Sequence, residues 1–201
     1  MWTSALVAIA LTGFLGLTAR ALSHYSYFEF LEAATANAVV SVMFFDLMIS
    51  LSLIAVWIYR DARRLGISPW PYIAIGASFG VAGPLLYLLR RPRGAEPAEV
   101  SPVQPVVLSV LVAFTGATAF AIYRHGYTAF ISYALVNEAT QLLFVDLALS
   151  LTLVAVWMVR DARTRKAGYL PFLALALFFG SVGPLLYLVG RGMRREPLEI
   201  A

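Results

Sequence analysis

Two acidic residues lie inside long apolar runs, where a carboxyl group could carry out chemistry. Asp46 stands in the run 38–60 and Asp146 in the run 138–160. At helical spacing, a serine and a tryptophan share a face with each aspartate: Ser50, Trp57, Ser150 and Trp157. A carboxyl group can donate and accept protons, and the ring faces can stabilise a cation. This stripe predicts Asp46 and Asp146 as catalytic residues, with the serines and tryptophans binding substrate.

Further substrate-binding candidates flank the stripe: Tyr87, Tyr187, Asn37, Asn137 and Glu138. The aromatic residues are also typical of an interfacial belt, and the serines of close helix packing. For the two aspartates a functional role is favoured, because ionisable groups inside membranes are usually functional. A helix-to-helix hydrogen bond is the alternative.

Proline and glycine recur together in the third apolar run of each half. Pro84 has no N–H to donate to the carbonyl of Gly80, so a kink is predicted there, with a free carbonyl open to a partner. Gly180 and Pro184 repeat the pattern. The tetrapeptide Arg-Asp-Ala-Arg closes the second run of each half, at 60–63 and 160–163. It is typical of an anchor at the membrane surface with local ion pairing.

Composition indicates a polytopic membrane protein. Of 201 residues, 61% are hydrophobic and only 13% are charged, and several runs reach the roughly 20 residues that a bilayer requires. With no cysteine, thiol chemistry and disulfides are excluded, and no pattern indicates a metal site or a cofactor. The basic residues cluster at the ends of the apolar runs, which favours the lipid bilayer as partner and not nucleic acid.

The chain repeats itself at a constant offset of 100 residues. Apolar periodicity predicts helices over 4–23, 38–60, 71–90, 105–123, 138–160 and 171–190. The predicted domains are a first three-helix repeat (1–91), a polar linker (92–104), a second three-helix repeat (105–191) and a polar tail (192–201). Because three helices are an odd number, the second repeat should enter the membrane from the opposite side. The predicted fold is therefore all-α, with six transmembrane helices as two inverted-topology repeats.

Short motifs carry a resemblance to a known family. ANA at 36–38, FFDL at 44–47, DARRLG at 61–66 and GPLLYL at 83–88 resemble those of a family of short bacterial membrane proteins of uncharacterised function. The chain looks like a tandem fusion of two such units, which implies a multi-pass protein of the bacterial inner membrane. DARR at 61–64 and GPLLYLLR at 83–90 also resemble neoxanthin-synthase-like membrane proteins of carotenoid metabolism, which implies an isoprenoid substrate.

Two functions follow from these features. The first is an intramembrane enzyme, a cyclase or isomerase, that acts on an isoprenoid or lipid-like hydrophobic molecule by carboxylate acid–base chemistry. The second is a small transporter or channel with Asp46 and Asp146 as coupling sites. Six helices are few for a transporter, so that function would imply a homo-oligomer. An accessory subunit of a larger membrane complex is a third possibility, with no specific signal in the sequence.

Overall fold

Ten α-helices make up the part of the chain that can be described, residues 4–92 and 103–193 of a computed structural model, and no strand occurs in it. They are α1 (Ser4–His24), α2 (Tyr27–Ala34), α3 (Ala38–Arg64), α4 (Trp70–Phe79), α5 (Ala82–Arg90), α6 (Gln104–His125), α7 (Ala129–Ala134), α8 (Glu138–Thr164), α9 (Leu170–Phe179) and α10 (Val182–Met193). Most of the predicted polar linker and tail lies outside the described residues.

Four helices, α1, α3, α6 and α8, are long and apolar enough to cross a membrane. The chain is thus all-helical in its described part and has the character of a multi-pass membrane protein.

The start of each of the two longest helices is fixed by an asparagine. Asn37 Oδ1 accepts the N–H groups of Val39 and Val40 at 3.0 Å each, and Asn137 Oδ1 accepts that of Thr140 at 2.9 Å. Such caps satisfy N–H groups that have no partner within the helix.

The predicted third and sixth helices are instead hairpins. In a straight helix, Tyr72 and Tyr87 would be about 22 Å apart, yet their ring centroids are 5.3 Å apart. A side chain on Gly83 would overlap the backbone of Tyr72 and Gly76, so α5 runs back along α4 with their backbones in contact. We call α4–α5 the first hairpin. The second hairpin, α9–α10, repeats this geometry, with Phe172 and Ala176 facing Gly183.

Each hairpin therefore enters and leaves the helical bundle on one side. A ten-residue helix is about 15 Å long, half of the roughly 30 Å apolar thickness of a bilayer. The prediction of six spanning helices is wrong for this reason. Since only two long helices per half cross from one end to the other, the second half begins on the same side as the first.

The two halves are parallel, so the predicted inversion is also wrong. Near the start of α3, Val40 shares an apolar cluster with Leu143, near the start of α8. Further along, Ile54 of α3 clusters with Val154 of α8. At the end of α1, Arg20 forms an ion pair with Glu138 at the start of α8, at 2.6 Å. These contacts require α3 and α8 to run side by side in the same direction.

Packing crosses between the halves. Leu11 of α1 and Leu85 of the first hairpin pack together with Leu142 of α8. In the same way, Leu111 of α6 and Leu185 of the second hairpin pack with Val42 of α3. Each hairpin is thereby seated against the long helix of the other half, and the two halves form one core.

Basic residues gather at one end of this parallel bundle. Among the described residues, only Arg20 and Arg124 lie where α1 and α6 end. Ten lie at the opposite end: Arg60, Arg63, Arg64, Arg90, Arg91, Arg160, Arg163, Arg165, Lys166 and Arg191. Inversion would have divided the basic residues almost equally. The positive-inside rule now predicts that the ends of α3 and α8 face the cytoplasm.

Because the chain has no native cysteine, single cysteines can report this topology. We expect a membrane-impermeant maleimide, applied to intact cells, to label Ala36→Cys and Val136→Cys but not Ser68→Cys or Gly168→Cys. All four positions are exposed and lie in turns at the ends of the bundle. Labelling of all four after permeabilisation is the control. Labelling of both position 36 and position 168 in intact cells would contradict the parallel arrangement and support the inverted one.

Candidate functional site

Each hairpin turns at a glycine that no other residue could replace without strain. Gly80 has φ 56° and Gly180 has φ 59°, a left-handed conformation that strongly favours glycine. A Cβ atom at Gly80 would overlap the carboxylate of Asp146, and one at Gly180 would overlap that of Asp46. Both turns therefore lie directly against a predicted catalytic aspartate.

The aspartates bind the hairpin tips across the two halves. Asp46 Oδ1 accepts the N–H of Ser181 at 2.8 Å, and Asp146 Oδ1 accepts the N–H of Val81 at 2.7 Å. Only 6% and 7% of these aspartates is exposed. The sequence predicts that the carbonyl of Gly80 is the backbone group that needs a partner at this turn. The structure shows that the carboxylates bind the amide one residue later, at the start of α5 and α10, where the helix dipole favours negative charge.

The serines of the stripe are both fully buried but have different surroundings. Ser50 Oγ lies 2.9 Å from Ser181 Oγ, and Ser181 Oγ also lies 3.4 Å from the backbone oxygen of Asp46. In the other half, Val81 occupies the position of Ser181 and offers Ser150 no hydroxyl. The two half-sites are therefore chemically unequal.

Beside Asp46 is a cavity of about 850 Å³ that is partly open. Its walls are mainly apolar, and Asp46 is the one carboxyl group among its lining residues. The lining also includes Phe114, Thr118, Tyr127, Phe144, Leu147, Leu151, Phe178 and Gly180. Asp146 is not part of this lining, so this cavity brings together Asp46 and the tip of the second hairpin but not the two aspartates.

The predicted tyrosines and tryptophans lie elsewhere, around a buried ion cluster. Tyr87 donates its hydroxyl to Asp61 Oδ2 at 2.5 Å, and Arg91 donates to both oxygens of Asp61 at 2.6 and 3.1 Å. The ring of Trp57 packs edge-on against Tyr87, at 5.6 Å between centroids. Since Asp61 is 0% exposed, this part of the Arg-Asp-Ala-Arg sequence is not a surface anchor but fastens the base of the first hairpin to α3.

The second half repeats this cluster around Asp161. Asp161 Oδ2 accepts the hydroxyl of Tyr187 at 2.6 Å and N–H groups of Arg191 and Arg165 at 3.2 Å each. Trp157 lies 6.4 Å from Tyr187 between ring centroids. Sequence reasoning missed the aspartates of both clusters, although Tyr and Arg follow Asp at the same spacing in each half.

The remaining candidates are occupied by structural contacts. Asn37 and Asn137 cap α3 and α8, as described above, and Glu138 pairs with Arg20, whose Nε donates to Glu138 Oε1 at 2.8 Å. None of the three lines the cavity beside Asp46. Within residues 4–92 and 103–193, no group of three or more His, Cys, Asp or Glu side chains could hold a metal ion.

The glycine turns give a stability prediction. We expect Gly80→Ala and Gly180→Ala each to destabilise the protein by roughly 1–3 kcal/mol, the cost of an unfavourable left-handed residue. The new methyl group would also overlap the carboxylate, which adds to this cost. Gly16→Ala is the matched control, since nothing lies within 4 Å of its Cβ position. Thermal unfolding in detergent measures the difference. Equal unfolding temperatures for Gly80→Ala and Gly16→Ala would contradict the described turn.

The ion cluster gives a second prediction. Tyr87→Phe should lower the free energy of unfolding by roughly 1.5–3 kcal/mol, as for a hydrogen bond to a charged group, because it leaves Asp61 with one donor fewer in a buried site. Tyr59→Phe is the control, since Tyr59 is 42% exposed. Denaturant titration monitored by tryptophan fluorescence checks both variants. A loss no larger than that of the control would show that the Tyr87 hydroxyl does not hold the hairpin.

Comparison with known proteins gives a match to a family for the first half of the chain. No curated protein and no solved structure matches the chain. Residues 3–93 match the family model described as Protein of unknown function DUF2834, so about half of the chain is similar to this uncharacterised family.

Proposed function

We propose that this chain is an intramembrane enzyme of the bacterial inner membrane that acts on an isoprenoid or other lipid-like hydrophobic molecule. The observation that carries the proposal is the cavity beside Asp46. A volume of about 850 Å³ lies within the range of small-molecule sites. Its mainly apolar walls suit a hydrocarbon chain, and the cavity is partly open, so that such a chain could enter it.

Asp46 supplies the chemistry in this proposal. As the one carboxyl group among the lining residues, it can transfer a proton to one alkene carbon of the substrate and then remove a proton from another. The two transfers balance, so the double bond moves without any other reactant. Phe114 and Phe144 in the cavity wall could stabilise the intermediate cation through their ring faces. Trp57 and Tyr87, the sequence-based candidates for this role, do not line the cavity: Tyr87 donates to Asp61, and Trp57 packs against Tyr87.

Asp146 has a structural role in this mechanism. It caps the first hairpin, and the substrate would not reach it through the Asp46 cavity. The two-carboxylate mechanism considered from the sequence is therefore replaced by one with a single acid–base group.

The alternative is a small transporter or channel in which Asp46 and Asp146 are coupling sites. One observation favours it. Two hairpins place the starts of α5 and α10 deep in the bundle, each against a buried carboxylate, and helix ends inside a membrane commonly form ion and substrate sites. With few spanning helices, such a transporter would work as a homo-oligomer.

We also propose that the chain is a tandem fusion of two units of the family matched by its first half. The element order of α1–α5 recurs in α6–α10, and the Asp61 cluster recurs around Asp161. The similarity of its motifs to neoxanthin-synthase-like proteins supports an isoprenoid as the substrate class. The two units would be related by an axis along the membrane normal, as in parallel repeats.

Isotope exchange tests the enzyme proposal. The protein in lipid nanodiscs, incubated in D₂O with a bacterial total-lipid extract, should introduce deuterium into a lipid species, as detected by mass spectrometry. We expect Asp46→Asn to abolish the exchange, because the amide cannot transfer the proton, while its oxygen still accepts the Ser181 N–H. Asp146→Asn should retain exchange.

Two further outcomes separate the alternatives. Ala148→Trp, which fills the cavity, should lose the exchange and any lipid that co-purifies with the wild type. Ala113→Trp, which is exposed and outside the cavity, should keep both. Deuterium exchange that persists in Asp46→Asn would refute the proposal that Asp46 is the acid–base group of an enzyme. Ion or solute flux in proteoliposomes that falls equally in Asp46→Asn and Asp146→Asn would instead establish the transporter.

A further inference from the structure

The cavity beside Asp46 continues from the tip of the second hairpin towards its base. Its walls include α8 residues from Phe144 to Ala155 and α9 residues from Leu170 to Phe179. From Leu170 to Gly180 the chain rises by about 15 Å at the spacing of an α-helix. This is half of the roughly 30 Å apolar thickness of a bilayer, so these walls cover the depth of one lipid leaflet.

Both walls can be reached from outside at several points along this depth. Ala148 and Thr152 are exposed on α8, and Ala174 and Leu177 are exposed on α9. The hydroxyl of Thr152 is bonded to the carbonyl of Ala148 at 2.7 Å, and the other three side chains are apolar. The surface that a lipid chain would meet between the two helices is therefore apolar.

Two exposed cations lie at the base of these walls. Arg163 donates to the hydroxyl of Tyr169 at 3.3 Å, and its Cζ lies 5.5 Å from the centroid of that ring. Tyr169 directly precedes Leu170, the first cavity residue of α9, so the guanidinium group lies close to the basal end of the cavity wall. Lys166 is exposed in the same short turn between α8 and α9.

The base of the bundle, where α3 and α8 end, differs in charge from the opposite end. Ten described basic residues lie at the base. The described acids there, Asp61 and Asp161, already accept hydrogen bonds from tyrosine and arginine. The opposite end has two described arginines and three described glutamates, Glu29, Glu32 and Glu138. A negatively charged headgroup is therefore favoured at the base and not at the opposite end.

We propose that the cavity takes up one chain of an anionic phospholipid whose phosphate group lies against Arg163 and Lys166. This inference rests on the proposed function, for which it names the class of substrate. Guanidinium and ammonium groups are both suited to phosphate oxygens. With the headgroup at the base, a chain that follows the walls for about 15 Å reaches Asp46. Asp46 then acts on the distal part of the chain while the headgroup stays at the membrane surface.

Photo-crosslinking tests the position of this lipid. The protein in nanodiscs receives phosphatidylglycerol with a diazirine at the end of one acyl chain, and labelled residues are identified by mass spectrometry. We expect labelling of Asp46 and Ala176, which line the cavity but are only 6% exposed each, so lipid on the outer surface does not reach them. The same lipid with the diazirine beside its glycerol should label the turn 165–169 instead. The reverse pattern would overturn the inference.

The labelling yield at Asp46 and Ala176, measured at increasing lipid content, tests the recognition of charge. We expect the double variant Arg163→Gln with Lys166→Gln to need about thirtyfold more phosphatidylglycerol than the wild type for the same yield, as the loss of two cations near an anionic headgroup implies. With phosphatidylcholine of the same chains, the yield should not differ between the two proteins.

The first half of the chain offers a matched control for this loss of charge. Arg63→Gln with Arg90→Gln also removes two exposed cations at the base of the bundle, but neither residue is near the α8–α9 turn in the chain or lines the cavity. This variant should label like the wild type. The same loss in the control, or equal labelling of the wild type by the two lipids, would refute the recognition of a phosphate group by Arg163 and Lys166 while leaving a lipid-binding cavity.

The remaining outcomes separate this inference from the proposed function. If neither lipid labels Asp46 or Ala176, the inference fails, and deuterium exchange alone decides whether Asp46 acts on another hydrophobic molecule. If phosphatidylglycerol labels both residues in the wild type but no lipid takes up deuterium, the binding site stands and the enzyme is refuted.

Discussion

A chain that reverses direction inside an apolar bundle must provide partners for the backbone groups at the turn. Within a membrane no water is available to do so, and each unsatisfied group costs several kcal/mol. Here the carboxylates of Asp46 and Asp146 accept the N–H groups at the hairpin tips. The other features of the described structure depend on this contact, since without it the hairpins could not end inside the bundle.

The contact also makes the two halves dependent on each other. Each hairpin is held at its tip by an aspartate of the other half and at its base by an aspartate of its own half, Asp61 or Asp161. A single half would leave a tip without a carboxylate and an aspartate without a donor. A unit of the first half's size would therefore need a partner that supplies the missing aspartate and the missing donor, and in this chain the second half supplies both.

The long helices and the unusual residues of this structure can be predicted from the sequence, but the number of spanning helices and the relative direction of the two halves cannot. The long helices were predicted with boundaries close to those observed, and the special character of Gly80, Pro84 and the two aspartates was recognised. Twenty apolar residues, however, are equally compatible with one spanning helix and with two short helices folded together. A straight helix in this place implies six spans, with an odd number in each half, and therefore an inverted topology with basic residues divided almost equally between the two sides. The Asp61 cluster could not be predicted because Tyr87 and Arg91, 26 and 30 residues later in the chain, reach Asp61 only when α4 and α5 fold into a hairpin.

The hairpins are held in the same way in both halves, by an aspartate at the tip and by an ion cluster at the base. The two halves differ, however, in the side chains around the tips. In the half-site of Asp46, which lines the cavity, the hydroxyl of Ser181 lies 2.9 Å from that of Ser50, whereas Val81 has no hydroxyl at the equivalent position. The repeated frame thus explains why two aspartates are present, and the unequal tips, together with the cavity, are the reason that we assign the proposed chemistry to Asp46 alone.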